Sequence, residues 1–170
     1  IVFGSEDKFF NLFSKFSFLS PILPLVGGNT KFQPVYVDDI AKSVVKILQT
    51  ETQAFKKNNL IYELGGPDIL SFNSLMVKML SIIYRKKLII NLPFWLAKTV
   101  CPVIYVLNKL TFKKIPLLIT EDSVKQLKNN NVVSKEYLCF EDLEIKPKSL
   151  DLILPLYLKR CSIEKYFSGN

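Results

Sequence analysis

An α/β domain that turns helical in its second half is the fold this sequence predicts. Short apolar runs alternate with longer stretches of helical spacing as far as Leu92, and beyond that point helical spacing prevails. With 49% hydrophobic and 12% aromatic residues, the 170-residue chain has enough apolar surface for one domain with a core.

The elements follow in order. Ile1-Val2-Phe3 reads as a strand ending on Gly4. From Glu6 to Phe18 the residues Phe9, Phe10, Leu12, Phe13 and Phe16 are spaced for a helix, with Glu6 and Asp7 at its positive end. Ser20-Pro21 breaks it. Leu23 to Val26 is a short apolar run, and Gly27-Gly28-Asn29 turns the chain. Phe32 to Val37 reads as a strand in which Pro34 marks an edge or a bend. Asp38 or Asp39 then caps a helix whose buried stripe is expected to be Ile40, Val44, Val45, Ile47 and Leu48.

A polar loop from Thr50 to Asn59 precedes a strand, Leu60 to Leu64, closed by Gly65-Gly66-Pro67. Ser71 opens a helix carrying Leu75, Met79, Leu80 and Ile83, and Leu88 to Leu92 is a strand. Pro93 stands at the first turn of a helix expected to reach about Leu110, kinked at Pro102. Another helix runs from Thr120 through Leu127 and stops at Asn129-Asn130-Asn131. After a turn at Glu141-Asp142-Leu143, the last helix spans Ser149 to about Arg160 with Leu150, Ile153, Leu154, Tyr157 and Leu158 inward.

Several chemistries are excluded by composition. The chain has no histidine, which removes Ser-His-Asp and Cys-His nucleophilic sites and every histidine-ligated metal. Cys101, Cys139 and Cys161 are too scattered for a structural zinc or a disulfide framework, and a reduced compartment fits them best. A net charge of +8 first suggests nucleic acid. Yet Arg85 and Arg160 are the only arginines, and the lysines are dispersed rather than gathered in a stripe with aromatics. The expected reading is a solvated lysine-rich surface and no nucleic-acid partner. The apolar stretch from Pro93 to Leu110 is broken by Lys98, Pro102 and Asn108, a poor membrane span. Its Phe94, Trp95, Val100, Ile104 and Leu107 flanked by lysines leave peripheral membrane contact open, with packing inside the lobe the default.

Four stretches in register carry a family likeness. Val2-Phe3-Gly4-Ser5-Glu6-Asp7 resembles the turn after the sixth strand of extended short-chain dehydrogenases, and Gln33-Pro34-Val35-Tyr36-Val37-Asp38-Asp39-Ile40-Ala41 resembles their V-x-D-V-A segment. Tyr62-Glu63-Leu64-Gly65-Gly66-Pro67 is similar to their Y-x-[LV]-G-G-P turn. Thr120-Glu121-Asp122-Ser123-Val124 and Glu141-Asp142-Leu143 look like T-R-D-Q-V and L-E-D-L-G. Together they resemble most closely the branch of NAD(P)H-binding-fold accessory subunits of respiratory complex I and their bacterial relatives.

The resemblance implies a Rossmann-like short-chain dehydrogenase/reductase fold, of which residues 1–170 form a single partial domain, the mainly helical substrate-side lobe. The family's glycine-rich pyrophosphate turn and its Tyr-x-x-x-Lys pair are not in this sequence. The expectation is therefore that the N-terminal dinucleotide half is missing. NADP or NAD would be the cofactor of an intact member, and none is expected for this chain alone. Partners implied are complex I or the missing half, and the location is cytoplasmic or peripheral on the inner face of a respiratory membrane.

Val2, Phe3 and Gly4 would border the nicotinamide by this likeness, although a plain strand-to-helix turn explains Gly4 equally well. Phe9, Phe10, Gln33 and Tyr36 are candidates for a substrate pocket, against core packing for the phenylalanines and surface or strand-pairing roles for the other two. No catalytic residue is assigned. Asp39 reads as a helix cap rather than an acid or base. Two rival readings stand beside the accessory role. One is the substrate lobe of an epimerase or reductase acting on an apolar or isoprenoid-like substrate; the other is an inactive product of a decaying gene. Phe32, where nucleotide-sugar epimerases commonly carry arginine, weighs against a nucleotide-sugar substrate.

Overall fold

A computed structural model describes residues 1–50, 61–97, 121–134 and 136–159. They form a mixed α/β structure. In chain order its elements are β1 (Val2–Phe3), α1 (Phe9–Leu19), β2 (Ile22–Val26), β3 (Lys31–Phe32), β4 (Val35–Tyr36) and α2 (Val37–Thr50). Then come β5 (Leu70–Ser71), α3 (Phe72–Ile82), β6 (Leu88–Leu92), α4 (Glu121–Gln126), a 3-10 turn (Glu141–Leu143) and α5 (Leu150–Leu158). Of the loop expected from Thr50 to Asn59, Thr50 is the last residue of α2 and residues 51–59 lie outside the described residues, as does most of the helix expected beyond Pro93. Of that helix only residues 94–97 are described, and they are helical.

The strands make three separate pairs among the described residues: β1 with β4 and β2 with β6, both parallel, and β3 with β5, antiparallel. The single strand expected from Phe32 to Val37 is thus two short ones. Pro34 has no amide hydrogen to continue a ladder, and across Gln33-Pro34 the chain changes partner from β5 to β1. The strand expected at Leu60–Leu64 reduces, where described, to one parallel bridge between Tyr62 and Leu138.

Three helices, α1, α3 and α5, pack on one another over Leu23 and Leu25 of β2 and form the main core. Every residue expected to point inward from the last helix is buried in α5. Ser71 caps α3, its hydroxyl accepting from the Ser74 amide at 3.1 Å. Asp7 does the same for α1 from just outside the helix, accepting from the Phe10 amide at 2.6 Å. A smaller cluster of Val26, Ala97 and Val124 seats α4 beside the end of β2.

Helix α2 contradicts the expectation of a buried apolar stripe. Val44, Val45 and Leu48 are 49%, 52% and 72% exposed. With Val37 and Ala41, also exposed, they lie at i, i+4, i+7, i+8 and i+11, one face of the helix. The side held against the rest of the chain is polar. Asp39 and Ser43 are buried there, and Lys46 bonds Glu144 at 3.0 Å. Because α2 begins at Val37, Asp39 stands inside its first turn rather than at the cap. Its carboxylate accepts the Lys148 backbone N–H at 2.7 Å and fastens α2 to the segment before α5.

Candidate functional site

Ligands of open α/β sheets gather at the carboxyl ends of parallel strands. For the pair β1–β4 that end is marked by Gly4 and Tyr36. Phe3 faces away from it. Its ring is buried, edge-on to Phe10 at 6.4 Å and 5.7 Å from Tyr36, and the residue as a whole is 1% exposed, so it offers a ligand almost no surface. Val2 is half exposed on the opposite face. The Gly4 carbonyl accepts from the Asp7 amide at 3.1 Å in a tight turn, and a Cβ on Gly4 would stand 2.7 Å from Cγ1 of Val37. Gly4 is thus small because the start of α2 presses on it.

Beside this turn Tyr157 donates its hydroxyl to Oδ2 of Asp7 at 2.7 Å, joining α5 to the start of α1. Burial first, and then the bond to Asp7, push the Tyr157 phenol well above its ordinary value of 10. Tyr36 donates to Asp38 at 2.7 Å and is also raised, chiefly by that bond. A tyrosine that moves protons in catalysis needs the opposite shift. The folded state thus favours neutral Tyr157. That contribution to stability is complete below pH 10, where an unfolded tyrosine is also neutral, and is lost as the pH rises above it. Thermal melts from pH 8 to 11 should therefore show wild type falling more steeply above pH 10 than Tyr157→Phe. Parallel curves would contradict the assignment.

The four residues expected to share a pocket are not brought together. Phe10 is wholly buried in the core. Gln33 is a clamp: its Nε2 donates to the Gly66 carbonyl at 2.7 Å and its Oε1 accepts the Val133 amide at 3.1 Å. It borders a cavity of about 1050 Å³ formed with Gly65-Gly66-Pro67 and the segment around Cys139. There the Cys139 thiol is raised by its bond to Glu141, which disfavours the reactive thiolate. Tyr36 stands at the end of β4. Of the four, only Phe9 lines the other large cavity, of about 590 Å³, with Phe13, Leu25, Phe32 and Phe72. Sequence spacing placed Phe9 and Phe10 on one helix but not on opposite sides of its packing boundary.

The turns Gly27-Gly28 and Gly65-Gly66 do not fit a dinucleotide pyrophosphate, which is held at a helix N-terminus, because they lead into β3 and β5. Gly27 has φ of +67°, and its carbonyl accepts the Thr30 amide at 2.9 Å. A Cβ on Gly28 would lie 2.1 Å from Asn91 Oδ1 and 2.6 Å from Asn73 Oδ1. A Cβ on Gly66 would lie 1.9 Å from the Pro34 carbonyl oxygen. Both turns are spent on close packing within the lobe.

No protein-family profile matches the chain. It is 36% identical over 150 residues to "NADH dehydrogenase [ubiquinone] 1 alpha subcomplex subunit 9, mitochondrial" of Arabidopsis thaliana, which covers 86% of this chain and 37% of that protein. It is 25% identical over 166 residues to "NADH-ubiquinone oxidoreductase 40 kDa subunit, mitochondrial" of Neurospora crassa, covering 98% of this chain and 41% of that one. The mouse protein of the same name as the plant one is 26% identical, with 99% and 42% covered. The chain thus spans about two-fifths of the length of these relatives. Among the described residues, no helix is long and apolar enough to cross a membrane. By these matches the chain is similar, over most of its own length, to a part of subunits of NADH:ubiquinone oxidoreductase, respiratory complex I.

Proposed function

We propose that this chain acts as a non-catalytic lobe of a complex I accessory subunit, seated peripherally at a respiratory membrane. The observation that carries the reading is the 36% identity, sustained over 86% of the chain, to a subunit of that assembly. In this reading NADP or NAD is gripped by a second α/β unit, of the kind for which the relatives' remaining three-fifths leave room. The present chain contributes only an edge, the backbone of Val2, Phe3 and Gly4 beside the nicotinamide. The unpaired arrangement of α2 supports this. A helix that turns Asp39 and Ser43 inward and Val44, Val45 and Leu48 outward is built to be covered on its apolar side. The second unit would pack there, burying the stripe against its sheet.

Native electrophoresis of detergent-solubilised respiratory membranes from cells making a tagged chain tests the proposal. The chain is expected to migrate with the NADH-oxidising assembly, and Val45→Asp with Leu48→Asp is expected to release it. Recovery of the wild-type chain only at its own 19.5 kDa, from membranes whose assembly is intact, would overturn the reading.

A further inference from the structure

The cavity walled by α1, β2, β3 and the start of α3 shares no lining residue with the cavity at Gly65-Gly66-Pro67. Its floor and walls are apolar and fixed. Phe13, Leu25 and Phe72 are buried, and Phe9 and Phe32 close the sides. The rings brace one another: Phe9 lies 5.3 Å from Phe13 and 5.6 Å from Phe72, and Phe32 lies 5.8 Å from Phe72. Such a cage keeps its shape without a ligand, and about 590 Å³ falls inside the range of roughly 300–1,000 Å³ usual for small-molecule sites. The exposed lining residues, which form the mouth, are of another kind: Lys8, Gln126, Asn129, Asn130 and Asn131. Among the described residues, no carboxylate lines the cavity. The Asn130 side-chain oxygen already accepts the Lys31 amide at 2.9 Å, which leaves its NH₂ group as a donor.

We infer that this cavity takes a single-chain amphiphile, an apolar tail ending in an anionic head. The tail would lie among the phenylalanines, and the head would sit at the mouth against the Lys8 ammonium and the side-chain amides. A polar or polycharged ligand such as a nucleotide is disfavoured, because the described side chains beneath the mouth are apolar. A neutral tail without a head would enter but forgo the donors at the rim.

Displacement of cis-parinarate by palmitate from the monodisperse chain tests this, with hexadecan-1-ol as the head-group control. One saturable site is expected, with palmitate the stronger competitor. Lys8→Glu should weaken palmitate by about fivefold, the scale of an exposed charge contact, and leave hexadecan-1-ol unchanged. Leu12→Trp, which puts an indole into the lining, should abolish binding while circular dichroism shows the fold retained. Lys8 is exposed, so its variant folds whatever becomes of the tryptophan one. Three results each overturn the site: no saturable displacement, several weak equivalent sites, or equal loss of both competitors on Lys8→Glu.

Discussion

Phe10→Ala is expected to lower the free energy of unfolding by about 3–5 kcal/mol, the largest effect of any single change considered for this chain. The Phe10 ring has no exposed surface, and it meets Phe3 edge-on at 6.4 Å and Phe9 at 5.0 Å. Truncation removes its transfer energy and leaves a hole among α1, α3 and α5 that rigid neighbours fill only in part. Phe9→Ala, at a half-buried position on the wall of the amphiphile cavity, is expected to cost clearly less stability and more binding. Denaturant titrations of the two variants, with the cis-parinarate assay alongside, separate the core residue from the cavity residue. Equal losses of stability would contradict the division.

Asp39→Ala is expected to cost about 2–3 kcal/mol, because a buried carboxylate and the backbone N–H it satisfies are lost as partners together. The Asp39 side chain is 1% exposed, and the Lys148 amide donates to it at 2.7 Å across 109 residues of sequence. The exposed Lys42 ammonium 3.6 Å from the other oxygen adds little. Asp39→Asn, which can still offer an oxygen to Lys148, should recover more than half of the loss. Urea titrations of the three proteins measure both differences. If Asn and Ala were equally destabilising, charge in the first turn of α2 would matter more than the link to Lys148.

Helices α3 and α5 were legible because their apolar stripe is also the side that packs: Leu75, Met79 and Leu80, then Leu150, Ile153, Leu154, Tyr157 and Leu158. In α2 the same arithmetic found the apolar face and misjudged its surroundings. Periodicity states which residues share a side, not whether this chain supplies something to cover them. Asp39 was misread for a related reason. Two acids before an apolar stripe look like a cap, whereas the bond to Lys148 depends on chain folding 109 residues away. The strands were only half legible, since four of the six paired strands among the described residues are two-residue segments whose partners are set by tertiary packing.

The candidate site shows the same limit. Gly65-Gly66-Pro67 announced a turn, but not that Gly66 is glycine because the Pro34 carbonyl lies where its side chain would be. Gln33 reads in the sequence as facing a ligand or pairing a strand; the fold makes it a clamp between two loops that also borders the cavity beside Cys139. Asp7 was placed correctly at the head of α1, while its second bond, to Tyr157, spans 150 residues and leaves no local trace. Lys8 drew no attention in the sequence, and nothing about one lysine among 21 could have singled it out before the cavity gave it a position.

Calorimetric titration of the monodisperse chain with NADH and with NADPH tests most directly the claim that it is a lobe rather than a self-contained dinucleotide-binding protein. The pyrophosphate is the most charged part of the ligand, and the turns Gly27-Gly28 and Gly65-Gly66 lead into β3 and β5 rather than into the helix N-terminus that would hold it. The backbone edge at Val2-Phe3-Gly4 is too small to offset the ordering of a flexible dinucleotide. The expected result is no saturable heat for either nucleotide at micromolar concentration. Low-micromolar binding of either one would contradict the account.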